Sequence, residues 1–370
     1  MQPINLSSPD ITQAEIDAVA DVLRSGRLSL GPKVEEFEEA VAKYVGVKHA
    51  VAVCSGTCGL HLLVRALGIG HGHEVISTPY SFVASTNCVM FEHARPVLVD
   101  IDPETWNVDP VKVEAAITPK TKAIIPVDVF GVASDYDAID RIAKKHKLGV
   151  IEDSCEALGG RYKGRRLGGF GDAGVFGFYP NKQITTGEGG MITTNDDEIA
   201  RLCRSMRNQG RDTGMGWLSH ERLGYNYRLS DIACAIGAVQ MSRIDEILSK
   251  RARVADMYRE RLKGETRLSM QKIPSDCDIS WFVFVVKLAD RYTENDRNRI
   301  ITSLRERGIG CSNYFAPIHL QQFYRNDFGY KEGDFPNCER VAARTIALPF
   351  HNFLTGGEID RVCETLTGLL

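Results

Sequence analysis

Nowhere does this sequence carry the run of about eighteen apolar residues that a membrane-spanning helix needs. Its first residues, Met1-Gln2-Pro3-Ile4-Asn5, lack the basic stretch and apolar core of an export signal, so a cytoplasmic address is the expectation. Charge of one sign is missing too: 45 Lys and Arg stand against 48 Asp and Glu, a formal net charge of -3. No long-range field then draws the chain to nucleic acid or to an anionic bilayer, and neither is expected as a partner. The ten cysteines form no framework of pairs. Cys54 and Cys58 have a zinc-ligand spacing, but no second Cys or His pair follows at a matching distance, so no metal is expected. Thiols scattered in this way suit a reducing compartment, where they serve as small buried apolar groups. Internal repeats and low-complexity tracts are also missing.

What remains is an ordinary globular composition, 43% hydrophobic and 25% charged, which excludes disorder and collagen-like repeats. At 370 residues the chain exceeds the usual span of one hydrophobic core, so two domains are expected. Thr12 and Glu15 form a helix-start signature, with Ile16, Val19, Ala20 and Leu23 as the apolar face and Gly26 as the stop. Pro32 opens a second helix through Val34, Phe37, Val41 and Tyr44, ended by Gly46. From His49 onward, short apolar runs (50–53, 75–78, 96–101, 123–127 and 150–152) alternate with helical spacing at 60–68, 83–93, 110–117 and 136–146. That alternation predicts an α/β fold: a three-layer large domain whose mostly parallel central sheet is covered on both faces. A helical stretch from Asp231 to Gly264 leads into an apolar β run, Trp281 to Leu288, and helices near 294–307 and 356–367. The expected division is a large domain over 1–245 and a smaller α+β C-terminal domain over 246–370. Residues 1–30 are free to pack on the smaller one.

Three segments carry candidate chemistry. Lys182 lies in Tyr179-Pro180-Asn181-Lys182-Gln183, beside a proline turn and before the glycine-rich Gly187-Glu188-Gly189-Gly190, where a loop can bring backbone close to a ligand. A solvated surface lysine is the competing reading. Asp153 ends the strand Val150-Ile151-Glu152-Asp153, at the edge where open α/β sheets bind ligands; it would serve equally as a helix cap. A carboxylate there can pair with the protonated ring nitrogen of pyridoxal phosphate. Ser55-Gly56-Thr57 joins a strand to a helix start, whose N–H groups suit a phosphate, although Ser and Thr are also ordinary caps.

Together these segments resemble the DegT/StrS family of sugar aminotransferases, a branch of the fold type I pyridoxal-phosphate enzymes. The resemblance runs through Gly31-Pro32-Lys33-Val34, Phe37-Glu38, Ser55-Gly56-Thr57, Asp100-Ile101-Asp102-Pro103, Ala116-Ile117-Thr118-Pro119, Ile151-Glu152-Asp153, Gly187-Glu188-Gly189-Gly190 and Gly224-Tyr225-Asn226. It implies that Lys182 holds pyridoxal 5'-phosphate covalently and acts as the base, and that Asp153 holds the ring nitrogen. It further implies that Phe82 stacks on the cofactor, that Ser55, Gly56 and Thr57 hold the phosphate, and that Asn226 reaches that phosphate from a neighbouring subunit. The working unit would then be a homodimer with shared active sites. Two positions depart from the family pattern: Phe176-Gly177-Phe178 has glycine where many members have serine, and Glu156 stands where many have glutamine or histidine near the cofactor hydroxyl.

Tyr314 and His319, in Asn313-Tyr314-Phe315-Ala316-Pro317-Ile318-His319, resemble a family segment near the sugar nucleotide. The implied reaction moves an amino group from an amino acid, glutamate being preferred, to a keto nucleotide sugar, with a 4-keto-6-deoxy sugar of a polysaccharide pathway preferred over a 3-keto one. Family relatives that remove a sugar hydroxyl carry histidine in place of the lysine, so Lys182 argues against a sugar dehydratase. An aromatic amino acid synthase and a non-enzymatic, cofactor-binding regulatory protein remain as alternatives. His71-Gly72-His73 reads as a turn, and Arg201, Arg204, Arg207 and Arg211 as a solvated face.

Overall fold

The structure is a computed structural model that describes residues 2–370 apart from 213, 215 and 217. Helix α1 (Gln13–Ser25) opens on the capping box that Thr12 and Glu15 encode and stops at Gly26 in a left-handed conformation. Its apolar face, however, is not the one that the spacing predicts. Ile16 and Leu23 are each 55% exposed, while Glu15 and Val22 are buried. The Glu15 carboxylate faces inward because Arg243 (2.7 Å), Gln240 (2.8 Å) and the Thr12 N–H (2.7 Å) all donate to it.

That anchorage has a pH signature. Burial alone would raise the Glu15 pKa, but the hydrogen bonds from Thr12, Gln240 and Arg243 outweigh it and hold the group down to about 2. A depressed carboxyl stabilises the fold above its unfolded-state pKa and loses that contribution as pH falls toward the folded value. Between about pH 4.5 and 2 the native chain is therefore expected to lose about 1–3 kcal/mol through this group. Glu15→Gln, less stable at neutral pH, should show a flatter decline over the same window in acid-unfolding curves. Parallel curves for the two proteins would remove Glu15 from the acid response.

Helix α2 (Pro32–Val45) is followed by the alternating order β1 (His49–Val53), α3 (Gly56–Ala66), β2 (Glu74–Ser77), α4 (Ala84–Phe91), β3 (Arg95–Leu98), α5 (Pro110–Ala115), β4 (Thr121–Ile125), α6 (Tyr136–His146) and β5 (Gly149–Asp153). The short ribbon β6 (Arg161–Tyr162) and β7 (Arg165–Arg166) precedes β8 (Ala173–Gly177), β9 (Gly190–Thr194) and α7 (Asp197–Arg207). Seven strands form the central sheet in the order β1-β9-β8-β5-β4-β2-β3, with only β9 antiparallel to its neighbours. The C-terminal ends of β1, β5 and β8 and the start of β9 consequently meet at one edge.

Strand periodicity sends alternate residues to opposite faces. Val51, Val53, Val175 and Ile192 pack under α3, α4 and α7 with Leu60, Leu63, Cys88 and Ile199. Ala50, Ala52, Phe176 and Met191 meet Phe37 and Val41 of α2 on the other side. Three layers result.

The helical stretch after Asp231 divides at Arg243 into α8 (Asp231–Ser242) and α9 (Ile244–Arg261). Ile244 and Ile247 belong to the large-sheet core, while Val254, Ala255 and Tyr258 belong to a second core, so α9 passes from one to the other. The second core is built on β10 (Leu268–Met270), β12 (Phe284–Leu288) and β13 (Thr345–Leu348), which form a three-stranded sheet, with α10 (Glu294–Glu306) and α13 (Gly356–Leu369) packed against it. Strand β11 (Cys277–Asp278) joins the β6–β7 ribbon, and the short helices α11 (Gln322–Phe328) and α12 (Pro336–Ala342) lie between α10 and β13. Ile4 belongs to this second core and bridges Ile309, whereas α1 packs on α8. No described helix is long and apolar enough to cross a membrane.

Candidate active site

Where β5 ends, the two acids separate by strand periodicity. Glu152 turns toward the backbone N–H groups of Gly168 (2.5 Å) and Phe170 (2.7 Å), a structural task. Asp153 faces the other way. Its Oδ2 accepts from Ser85 Oγ at 2.6 Å, Ser85 in turn contacts Ser81 at 2.8 Å, and its Oδ1 accepts the Cys155 N–H at 3.2 Å. Two direct partners, one of them braced by Ser81, fix a carboxylate that is only 4% exposed. Phe82, between the two serines and ahead of α4, leaves 61% of its surface uncovered, an uncommon exposure for so large an apolar ring.

The loop from β8 to β9 closes on itself: the Phe178 N–H donates to Gly189 (2.9 Å), and the Thr186 N–H and Thr185 Oγ1 donate to the Phe178 carbonyl (3.1 and 2.9 Å). Lys182 sits in this closed loop with its side chain 15% exposed and Nζ 3.6 Å from Glu156 Oε1. A lysine so enclosed is not the solvated residue of the bland reading. Glu156 Oε2 accepts the Phe130 N–H at 2.9 Å. Burial raises the Glu156 pKa, and the Lys182 charge opposes that rise only in part.

Ser55 caps α3 through the Cys58 N–H (3.2 Å), and the Gly56 and Thr57 N–H groups at the first two helical positions have no helical carbonyl to meet. Gly190 at the start of β9 presses on this turn, since a Cβ there would lie 2.5 Å from the Ser55 carbonyl. Beside Gly177 the space that a serine hydroxyl would use borders Cys155, whose Sγ lies 3.6 Å from where a Cβ would stand. The same sulfur lies 2.8 Å from a Cβ built on Gly56, so the start of α3, Cys155 and Asp153 are contiguous.

These residues fit pyridoxal phosphate. A helix start rich in free N–H groups suits the phosphate, a fixed carboxylate suits the ring nitrogen, an uncovered aromatic face suits the ring and an enclosed amine suits the aldehyde.

Asn226 is exposed in a segment that bridges Asn208, and the neighbouring Tyr227 carbonyl accepts the Cys54 N–H at 2.9 Å. Tyr314 lies at the other end of the site, with Asn181 Nδ2 3.5 Å from its hydroxyl. His319 has no exposed surface; its Nε2 meets Glu339 at 2.9 Å and its ring packs on Phe335. Of the arginines on α7, Arg201 and Arg204 keep about two fifths of their side chains exposed, whereas Arg207 leaves the solvated face. Arg207 is nearly buried, paired with Glu38 and donating to the Ala52 carbonyl, while Arg204 donates to the Ala50 carbonyl. Sequence reasoning passed over Ser81, Ser85, Cys155, Phe130 and Phe282, because a serine or phenylalanine carries no signal until the fold brings it to a charge.

A doubly covered, mainly parallel sheet with a lysine and an aspartate at the carboxyl edge defines the fold type I pyridoxal-phosphate transferases. The chain belongs to the DegT/DnrJ/EryC1/StrS aminotransferase family, whose model matches residues 9–367. It is 38% identical over 374 residues to the spore coat polysaccharide biosynthesis protein SpsC of Bacillus subtilis, covering 98% of this chain and 96% of that protein. To the GDP-perosamine synthase of Caulobacter vibrioides it is 39% identical over 369 residues, covering 99% and 98%. Among solved structures, DesV of S. venezuelae in complex with a ketimine intermediate superposes with a TM-score of 0.92 at 33% identity, over 100% of this chain and 98% of that one. The PLP-form of the putative sugar aminotransferase Spr1654 of Streptococcus pneumoniae gives 0.94 at 30% identity, over 99% and 98%. The protein is thus a pyridoxal-phosphate-dependent sugar aminotransferase.

Proposed function

We propose that this enzyme moves the amino group of glutamate to the keto carbon of a nucleotide-linked 4-keto-6-deoxy sugar in the assembly of a polysaccharide. The observation that carries this reading is the enclosed Lys182 amine beside Glu156, on the same sheet edge as the Asp153–Ser85 pair. The names of two relatives support the substrate class, one being a GDP-linked perosamine synthase and the other a polysaccharide biosynthesis protein.

When bound, pyridoxal phosphate supplies an electron sink for negative charge at the donor's α-carbon. Ser55, Gly56 and Thr57 bind its phosphate, and Phe82 covers one face of its ring. Asp153, held by Ser85 and the Cys155 N–H, keeps a proton on the ring nitrogen because a carboxylate favours the charged form of its partner. Lys182, once its amine is free, takes the proton from the donor's α-carbon and delivers it again, and the same residues work in reverse on the keto sugar. Glu156 stands next to that amine and can share its proton. The test is a panel of 3-keto and 4-keto nucleotide sugars offered with glutamate and read by the mass of the amino sugar. Amination of 3-keto sugars alone would refute the 4-keto preference.

The working unit in this reading is a homodimer whose sites take Asn226 from the second chain. A phosphate dianion benefits from more donors than one helix start offers, and Gly177 has no hydroxyl to add. Lys182→Ala and an inactive Asn226→Ala chain, mixed, dissociated and reassociated, are expected to regain activity in heterodimers, where one site is intact and the other doubly damaged. Full recovery corresponds to about a quarter of the wild-type rate, because half the chains pair as heterodimers with one good site of two. Heterodimers that form but stay inactive would place Asn226 in its own subunit's site.

A further inference from the structure

One wall of the Lys182 chamber has no part in the chemistry above. Phe282 is 2% exposed, and its ring centroid lies 4.0 Å from Lys182 Nζ. The ring is nearly parallel to Tyr314, with centroids 6.3 Å apart and planes inclined by 11°. Strand pairing does not set this position, since β12 begins only at Phe284, although the apolar run predicts a strand from Trp281.

Arg251 of α9 sets it. Its guanidinium donates to the Trp281 and Phe282 carbonyls at 2.7 Å each and reaches the Asn181 carbonyl, one residue before Lys182, at 3.5 Å. Arg251 is 4% exposed and has no carboxylate within ion-pair distance among the described residues. Its guanidinium also lies 5.0 Å from the Phe350 ring centroid, and the planar fork of arginine can bind several carbonyls at once and so offset the cost of burying the charge. Burial lowers its pKa to about 10, which still leaves it charged at neutral pH.

The free Lys182 amine thus has a carboxylate on one side and an aromatic face on the other. The ring face attracts an ammonium and not a neutral amine, and the attraction is strongest where water is excluded. We propose that Phe282 is the resting face of the free Lys182 ammonium, and that Arg251 is the positioning residue that keeps this ring in register with the lysine loop. This rests on the role of Lys182 given above.

The titratable and charged groups around Lys182 are Glu156 and Cys155 from the turn after β5, with Asp153 next to both of them, and, through the adjacent Asn181, Tyr314 from the segment before α11 and Arg251 from α9. The trifluoro and tyrosine substitutions at 282 keep the ring on which Tyr314 stacks. The decisive variant carries 3,4,5-trifluorophenylalanine at 282, which keeps the ring's shape and drains its face of negative charge; Phe282→Leu and Phe282→Tyr accompany it. Labelling of Lys182 at neutral pH is read in the cofactor-free full-length chain by competitive amine modification against its other lysines and peptide mass spectrometry.

Losing the ring face disfavours the ammonium, so at neutral pH Lys182 of the trifluoro and leucine variants should label about 2- to 30-fold faster than in the native chain, whereas tyrosine should match it. Arg251→Lys, which keeps the charge but loses the fork, should speed the labelling in the same direction. A trifluoro variant that labels at the native rate would overturn the proposal, as would a tyrosine variant as fast as leucine. Full activity in Lys182→Ala would instead remove the role of Lys182 and leave the labelling result standing.

Discussion

Lys182→Ala should lose essentially all transamination while remaining folded. The proton transfer alone contributes about 10²–10⁴-fold, and the covalent hold on the cofactor is lost with it. Stability should change little, because the side chain makes one ion pair, at 3.6 Å, and one ring contact. In the native enzyme, borohydride should fix the cofactor to the peptide that contains Lys182, and peptide mapping reads this directly. Label on any other lysine would sink the assignment. Removing the amine also leaves Glu156 without the positive charge that restrains its pKa, so its carboxyl should become harder to ionise in the variant. Exogenous small amines are expected to restore part of the proton transfer, most effectively where their free-base fraction is large.

Asp153→Asn should keep the cofactor and lose turnover in both half-reactions. The amide is nearly isosteric, and with its oxygen on the Cys155 N–H its NH2 can donate to the Ser85 hydroxyl, so the geometry survives. What disappears is the negative charge that keeps the ring nitrogen protonated. A hydrogen bond to a charged group contributes about 1.5–3 kcal/mol, and the loss of electron withdrawal adds to this, so a fall of at least about a hundredfold is expected. Single-turnover rates with glutamate and with the keto sugar should fall together, while cofactor retention measured by absorbance should hardly change. A variant within a few-fold of the native rate would show that the ring nitrogen does not depend on Asp153.

Much of the scaffold was legible before any coordinates. Apolar runs of strand length alternating with helical spacing mark β1 to β5 and the helices between them, since each element repeats its burial with its own period. Asp153 is the strand-end acid that the sequence singles out, and strand periodicity in the folded sheet separates it from Glu152, which turns toward backbone amides while Asp153 turns toward Ser85. Helix α1 shows the limit of spacing. Its capping box was readable, but the face it buries follows Arg243 and Gln240, which lie more than two hundred residues away and attract Glu15 more strongly than Ile16 and Leu23 seek cover.

By itself, the sequence determined the α/β alternation, the lysine loop, the strand-end aspartate and the helix start suited to a phosphate, because each is written in a few consecutive residues. Only the tertiary structure decided that Ser85 holds Asp153, that Cys155 borders the space beside Gly177, that Glu156 faces Lys182, and that Arg251 carries Phe282 to the amine. Those pairings join residues as far apart as 100 and 68 positions, as in Lys182–Phe282 and Ser85–Asp153. The physical reason is that burial and charge act through space, so a partner is defined by the packing that brings it within a few ångströms and not by its distance along the chain.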